Sequence, residues 1–335
     1  MLKNIVRKGM NISNMTLGTM QLGANYGIAN ETGMPNNEEG HELLRQALDN
    51  GVTSIDTARA YGEAEVRIGG FLTNYKDYKP YITTKVRANI SEPRPGGAPW
   101  QPNELAELEK LFLEAGDKLE KLIFDEAEAS LSSLAVPKVN CIMLHRPDEM
   151  MAGGKRLAQI MGKLIARGYT DEVGASVYNP AEAETMMQHD EYTAMQMPMS
   201  LFDQKMIHTG VLQKLADRNT LVFVRSVFLQ GVFFLDPGKV EEPLLKEHAA
   251  PHIRALRRLA GEEGVSIAQM AISFVRDTPG VSSLVLGCEK KEQVLENIGL
   301  MNGPPVSAKT MEAARLAFRD VDLRSIMTVL ARPKQ

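Results

Sequence analysis

Four side chains in the first half of the chain could together move a proton. They are Asp56, Tyr61, Lys85 and His145. Each lies at or just beyond the C-terminal end of a short apolar run: Thr53–Thr57, Tyr81–Val86 and Asn140–Leu144. A carboxylate at the end of a buried strand requires a cation or several donors, and Lys85 supplies a cation. If the three runs are parallel neighbouring strands, the four groups converge on one mouth. A phenol beside an ammonium that a carboxylate anchors, with an imidazole nearby, makes a proton-transfer site. Taken singly, each residue has a blander reading: a helix cap, a rim charge, a core histidine, a loop tyrosine. The four complementary types at one end of one sheet favour chemistry.

The pattern of elements supplies such a sheet. Eight strand-like segments are centred near residues 17, 55, 83, 142, 174, 196, 224 and 284, with helical patterns between them. The helices are expected at about 38–50, 63–74, 103–121, 122–134, 156–167, 180–188, 211–218, 252–263, 266–277, 290–300 and 311–319, with Gly238–Pro251 as a charged loop. Strand–helix alternation argues for a parallel sheet. Eight repeats at this length predict an α/β protein of the (β/α)8 TIM-barrel class, with an open doubly wound sheet as the alternative. No linker divides the chain, so one barrel domain over 1–335 is expected. It carries an insertion of about 87–118 after the third strand and a C-terminal tail of about 301–335. The insertion is read from length: 59 residues separate Lys85 from His145, about twice what one helix and its turns need. It opens with Ser91–Pro102, which holds four prolines, two glycines and the sole tryptophan, Trp100.

Composition narrows the function. The 335 residues are 44% hydrophobic and 24% charged, with a net charge of −4, ordinary for a soluble domain and unsuited to nucleic acid or an anionic membrane. Neither a membrane-spanning run nor a signal-peptide core is present. Two cysteines, both in strand-like runs, fit a reducing compartment, and cytoplasm is the expected location. No Cys/His cluster has metal-ligand spacing, so no metal is expected. The nineteen methionines sit mostly at core spacing.

The chain resembles the aldo-keto reductase superfamily over about residues 17–300. The resemblance is carried by Asp56-Thr57-Ala58-Arg59-Ala60-Tyr61-Gly62, Thr84-Lys85 and Leu144-His145-Arg146-Pro147. Further agreement lies in Gly174-Ala175-Ser176, Gln196, Arg225-Ser226 with Gly231, and Glu296-Asn297. It implies reduction of a small-molecule carbonyl by a nicotinamide cofactor, with Tyr61 as proton donor, Lys85 lowering the phenol's pKa, Asp56 fixing Lys85, and His145 orienting the carbonyl. It also implies a cofactor laid across the barrel mouth, in keeping with the absence of a Gly-x-Gly-x-x-Gly fingerprint after a strand. Gly18, Thr19, Met20 and Asp56 would pass beneath the nicotinamide ribose, and Ser176 and Gln196 would bind the carboxamide. Arg225, Ser226, Leu229 and Gly231 would flank the ring and pyrophosphate, and Gly287, Gln293, Glu296 and Asn297 would hold the adenosine end. The cofactor is expected to be NADP, with NAD as the alternative. The reason is that the usual basic pair for the 2′-phosphate is replaced here by Gly287 and Gln293, with Lys290 and Lys291 nearby. Arg225 also departs from the pattern, standing where many relatives stack an aromatic ring.

Two rival readings share the fold. One is a nucleotide-binding regulatory barrel resembling potassium-channel beta subunits. The other is a phosphate-sugar isomerase, which the tyrosine–lysine pairing does not suit. The rim arginines Arg59, Arg87, Arg146 and Arg225 favour a hydroxylated or anionic carbonyl, held by Tyr61, His145 and Trp100, with Ser91–Pro102 either a lid over the substrate or a surface excursion whose Trp100 packs on its own helix.

Overall fold

The structure, a computed structural model, describes residues 1–28, 30, 32–90 and 104–331. Ser91–Pro102, with Trp100, therefore lies outside the described residues. Among the described residues there are ten strands: β1 (Asn4–Arg7), β2 (Met10–Ser13), β3 (Met15–Gly18), β4 (Ser54–Asp56), β5 (Tyr81–Val86), β6 (Val139–Leu144), β7 (Thr170–Ser176), β8 (Tyr192–Pro198), β9 (Leu221–Arg225) and β10 (Ser283–Gly287). Strands β3 to β10 close into a parallel barrel in sequence order, with β10 pairing back onto β3. All eight expected strands are there, and helices separate them.

Alternation along each strand sorts the residues. The lumen holds an apolar layer of Tyr81, Cys141, Met143, Ala194, Leu221 and Phe223. Beside it three buried hydroxyls satisfy one another, with Thr16 Oγ1 at 2.7 Å from both Ser54 Oγ and Ser283 Oγ. The outward-facing residues pack under the helices as one continuous core.

The β1–β2 hairpin was not foreseen, because Asn4–Arg7 is mostly exposed and shows no buried face. It turns at Lys8 and Gly9, both with positive φ, and drives Ile12 into the lumen layer. Its Arg7 Nε donates to buried Glu172 Oε1 at 2.7 Å, and Tyr81 Oη donates to Glu172 Oε2 at 2.9 Å. The hairpin thus plugs the N-terminal end of the barrel and satisfies a carboxylate that would otherwise be buried unpaired.

Other expectations are corrected. The charged loop expected at 238–251 contains a helix, Pro243–His248. Pro243 stands in its first turn, and the Glu242 side chain accepts from Leu245 N–H at 2.8 Å. The next helix starts at Ala250 rather than His252. Between β5 and β6 the break falls at Gly116, whose φ is +51°, so the helices run Leu105–Ala115 and Lys118–Leu134. The first of these buries Leu108 and Phe112 against helix Pro147–Ala166. Helix Leu323–Leu330, also not foreseen, packs on Pro243–His248. Among the described residues no helix is long and apolar enough to cross a membrane.

Candidate active site

Strand ends place the site. Asp56 is the last residue of β4, Lys85 lies one residue from the end of β5, and His145 follows β6 directly. His145 N–H donates to Val86 O at 2.8 Å, which ties the third position to the second. Tyr61 comes from the loop after β4. That loop is anchored by Arg59 N–H to Lys85 O at 3.0 Å and Tyr61 N–H to Ala58 O at 3.0 Å. Backbone meets backbone beneath it: a Cβ on Gly23 would come within 1.6 Å of Tyr61 O, and one on Gly62 (φ +55°) within 2.4 Å of Gly23 O. Only glycine allows that approach, so these two glycines fix where the phenol stands.

The four groups meet. Lys85 is fully buried and Asp56 is 3% exposed. Lys85 Nζ lies 2.8 and 2.7 Å from the two Asp56 carboxylate oxygens, 2.9 Å from Thr57 O and 3.3 Å from Tyr61 Oη. Three ammonium protons therefore serve four acceptors, and Tyr61 holds the longest contact. The Tyr61 and His145 rings meet edge to face at 5.6 Å.

The electrostatics follow. Burial works against the Lys85 charge, but Asp56 and then Tyr61 outweigh it and hold the ammonium's pKa above its ordinary value. For Tyr61 burial acts more strongly than Lys85, which does lower the pKa, as expected. Burial raises the phenol's pKa, and the lowering by Lys85 does not offset it, so the phenol stays protonated through neutral pH. His145 is held well below the ordinary histidine value by burial, then by Lys85, Arg87, Arg225 and Arg146. It is therefore a neutral imidazole, and its buried Nδ1 has no partner among the described residues.

The residues assigned to a cofactor occupy the same end. Gly18, Ser176, Arg225 and Gly287 are the last residues of β3, β7, β9 and β10. Thr19 Oγ1 donates to Asp56 O at 2.8 Å, and Met20 begins a short 3₁₀ turn. Gln196 Nε2 donates to Asp56 Oδ1 at 2.7 Å, so this amide also holds the catalytic candidate. Its carbonyl oxygen and the Ser176 hydroxyl, both in buried side chains, are free of hydrogen bonds to described residues and suit a carboxamide. Ser226, Leu229 and Gln230 all have positive φ and are followed by Gly231 at +95°. Three left-handed non-glycine residues in one short loop are costly. Such turns can aim N–H groups into a concavity that suits a phosphate, although the Leu229 and Gly231 N–H groups here donate to Ser226 O at 2.8 Å and Phe228 O at 3.0 Å. At the far end Gln293 Oε1 accepts from Glu289 N–H at 2.7 Å, Asn297 Nδ2 donates to Cys288 Sγ at 3.3 Å, and Glu296 is exposed. Gly287 leaves room for Gln21, whose amide would lie 2.4 Å from an added Cβ.

Of the four rim arginines, two are engaged elsewhere. Arg59 lies 3.6 Å from Glu65 and 3.5 Å from Ser133 Oγ, and Arg146 Nη2 donates to Asp148 Oδ2 at 2.6 Å. Sequence reasoning passed over Tyr26, Tyr178 and Glu149. Arg225 stacks on the Tyr178 ring at 4.5 Å. Burial pushes the Tyr26 hydroxyl up to about 12, against the pull of Arg225. Tyr178 lies two residues past Ser176, a spacing that could have flagged it. Glu149 is buried in the first turn of Pro147–Ala166 and accepts from Ala88 N–H at 2.8 Å.

Glu149 carries a prediction. Burial pushes its carboxyl up to about 7, so the fold prefers the protonated form. Its contribution is present at acid pH and is lost as pH rises through 7, by about 3 kcal/mol in total. Glu149→Gln should flatten the fall in Tm between pH 5 and pH 8. Parallel falls in variant and parent would refute the assignment.

A closed parallel barrel with a Lys–Asp pair buried beside a tyrosine at its C-terminal mouth is an arrangement that can move a proton. The family model described as "Aldo/keto reductase family" matches residues 14–316, and the chain belongs to that family of oxidoreductases. It is 24% identical over 311 residues to aldo-keto reductase YhdN of Bacillus subtilis (strain 168), covering 87% of this chain and 86% of the relative. It is equally 24% identical over 327 residues to a putative voltage-gated potassium channel subunit beta of Schizosaccharomyces pombe (strain 972 / ATCC 24843), covering 87% and 85%. Among solved structures, an aldo/keto reductase from Klebsiella pneumoniae in complex with NADP and acetate superposes with a TM-score of 0.64 at 17% identity, covering 92% of each chain.

Proposed function

We propose that the protein interconverts a carbonyl and an alcohol using a nicotinamide cofactor, NADP in preference to NAD, in the cytoplasm. The observation that carries this reading is the contact of Lys85 Nζ with both Asp56 oxygens and with Tyr61 Oη. The hydride is the cofactor's contribution when bound. In the reductive direction Tyr61 gives its hydroxyl proton to the carbonyl oxygen as that oxygen gains charge. The tyrosinate left behind is stabilised by Lys85, which Asp56 holds in place. Neutral His145 donates a hydrogen bond that orients the carbonyl, and Ser176 and Gln196 would hold the carboxamide of the bound cofactor. NADP is supported by the Klebsiella complex. The similarity to a channel beta subunit lies within the same family and does not distinguish a regulatory barrel from an enzyme. The complete Asp56, Tyr61, Lys85 and His145 set favours the enzyme.

Fluorescence titration with NADPH and NADH, followed by a carbonyl panel with the tighter cofactor, tests the reading. Tight binding without turnover of any carbonyl would support the regulatory alternative. Lys290 is exposed, and Lys291 is half-exposed with its Nζ 3.8 Å from Glu42. If they read the 2′-phosphate, Lys290→Ala/Lys291→Ala should weaken NADPH on the order of tenfold and spare NADH. An equal loss for both cofactors would refute that role.

A further inference from the structure

Several cations stand around the mouth, and one of them has a buried N–H without a partner among the described residues. Arg87 stands just past the end of β5, next to Val86, whose O accepts from His145 N–H at 2.8 Å. After Lys85 it is the strongest charge acting on His145, and Arg225 follows. Arg87 makes no hydrogen bond or ion pair with any described residue, and its Nε is buried without a partner. A buried guanidinium N–H left unpaired is costly. Arg225 is held sideways on Tyr178, and its hydrogen bond to Val177 O is a long 3.4 Å. The carboxylates that feel Arg87 answer it weakly. Glu149 is spent on Ala88 N–H, with its pKa at about 7. Glu126 is also raised by burial and feels Arg59 as well. The structure therefore leaves positive charge at the mouth, beside the hydroxyl and imidazole that would hold a carbonyl.

We propose that Arg87, reinforced by Arg225, binds an anionic group on the substrate, so that the protein acts on carbonyl compounds carrying a carboxylate or a phosphate. This rests on the carbonyl-reduction reading. The guanidinium fork matches either group in two-point fashion. Pairing completes the hydrogen bonding of Arg87 and orients the carbonyl between Tyr61 and His145. Of the four rim arginines, the assignment singles out Arg87, because Arg59 and Arg146 already face Glu65 and Asp148.

The test is a pair of matched comparisons with the cofactor-loaded full-length protein: butanal against succinate semialdehyde, and glycolaldehyde against glycolaldehyde phosphate. The expected result is a preference for the anionic member of at least one pair, roughly 10–100-fold in kcat/KM and mostly in KM. The favoured pair tells carboxylate from phosphate. Arg87→Met should erase that preference and Arg87→Lys should restore part of it. Turnover of all four aldehydes with no preference in the parent protein overturns the proposal and leaves carbonyl reduction standing. Equal loss on neutral and anionic members in Arg87→Met also overturns it. No turnover of any member overturns the reduction reading and this proposal together. The parent comparison needs no variant, so a misfolded Arg87→Met would not rescue the idea.

Discussion

Tyr61→Phe is expected to lower the rate of carbonyl reduction by roughly 10²–10⁴, the usual worth of a positioned proton-transfer group. Cofactor affinity should hardly change. The variant removes one oxygen, and the ring keeps its edge-to-face contact with His145. The loss should appear in kcat rather than in cofactor binding. The parent should also show a particular pH dependence. The donor must be protonated, and burial raises the Tyr61 pKa above 10.0. Reductive turnover should therefore not fall through ionisation of the phenol until pH passes 10. His145, a neutral imidazole, should contribute no inflection near its ordinary value. Near-normal turnover in Tyr61→Phe would remove the phenol from the mechanism.

The second large effect concerns the pair beneath the tyrosine. Lys85→Met keeps the length of the side chain and deletes its charge. Asp56 would remain 3% exposed with Gln196 and the backbone as its neighbours. Breaking a buried ion pair from one side costs roughly 3–5 kcal/mol, because the other charge is stranded. The variant should therefore lose stability in urea as well as rate. The two losses can be separated. Lys85→Met/Asp56→Asn removes the stranded charge and should recover much of the stability while turnover stays low. If Lys85→Met alone were as stable as the parent, or the double variant recovered activity, the pair would not be the support that the geometry describes. The two experiments share a logic: on the proposed reading the phenol gives the proton, and the buried ammonium stabilises the tyrosinate left behind.

How much of this was legible in the residues alone differs from place to place. The eight barrel strands were legible because each is a short apolar run bounded by turn residues, and their alternation with helices is a property of sequence order. The residue types of the proton-transfer set were legible for the same reason, since a strand-end residue is placed by counting. What counting could not give was which partner each group takes. Arg59, Arg87, Arg146 and Arg225 look alike in the sequence. Only the packing turns Arg59 toward Glu65 and Arg146 toward Asp148 and leaves Arg87 without a described partner.

The hairpin at Asn4–Ser13 was hidden because its partners, Tyr81 and Glu172, lie many residues away, and no local pattern announces a plug. The sign of the Tyr61 shift was hidden as well. A lysine nearby suggests a lowered pKa, but burial is a property of the closed barrel, and there it outweighs the ammonium. The sequence by itself determined the barrel and the four chemical types at its mouth, because both depend on local periodicity and strand position. The tertiary structure decided which charges are spent on one another and which remain for a ligand, because that depends on long-range contact and on the water that the closed fold excludes.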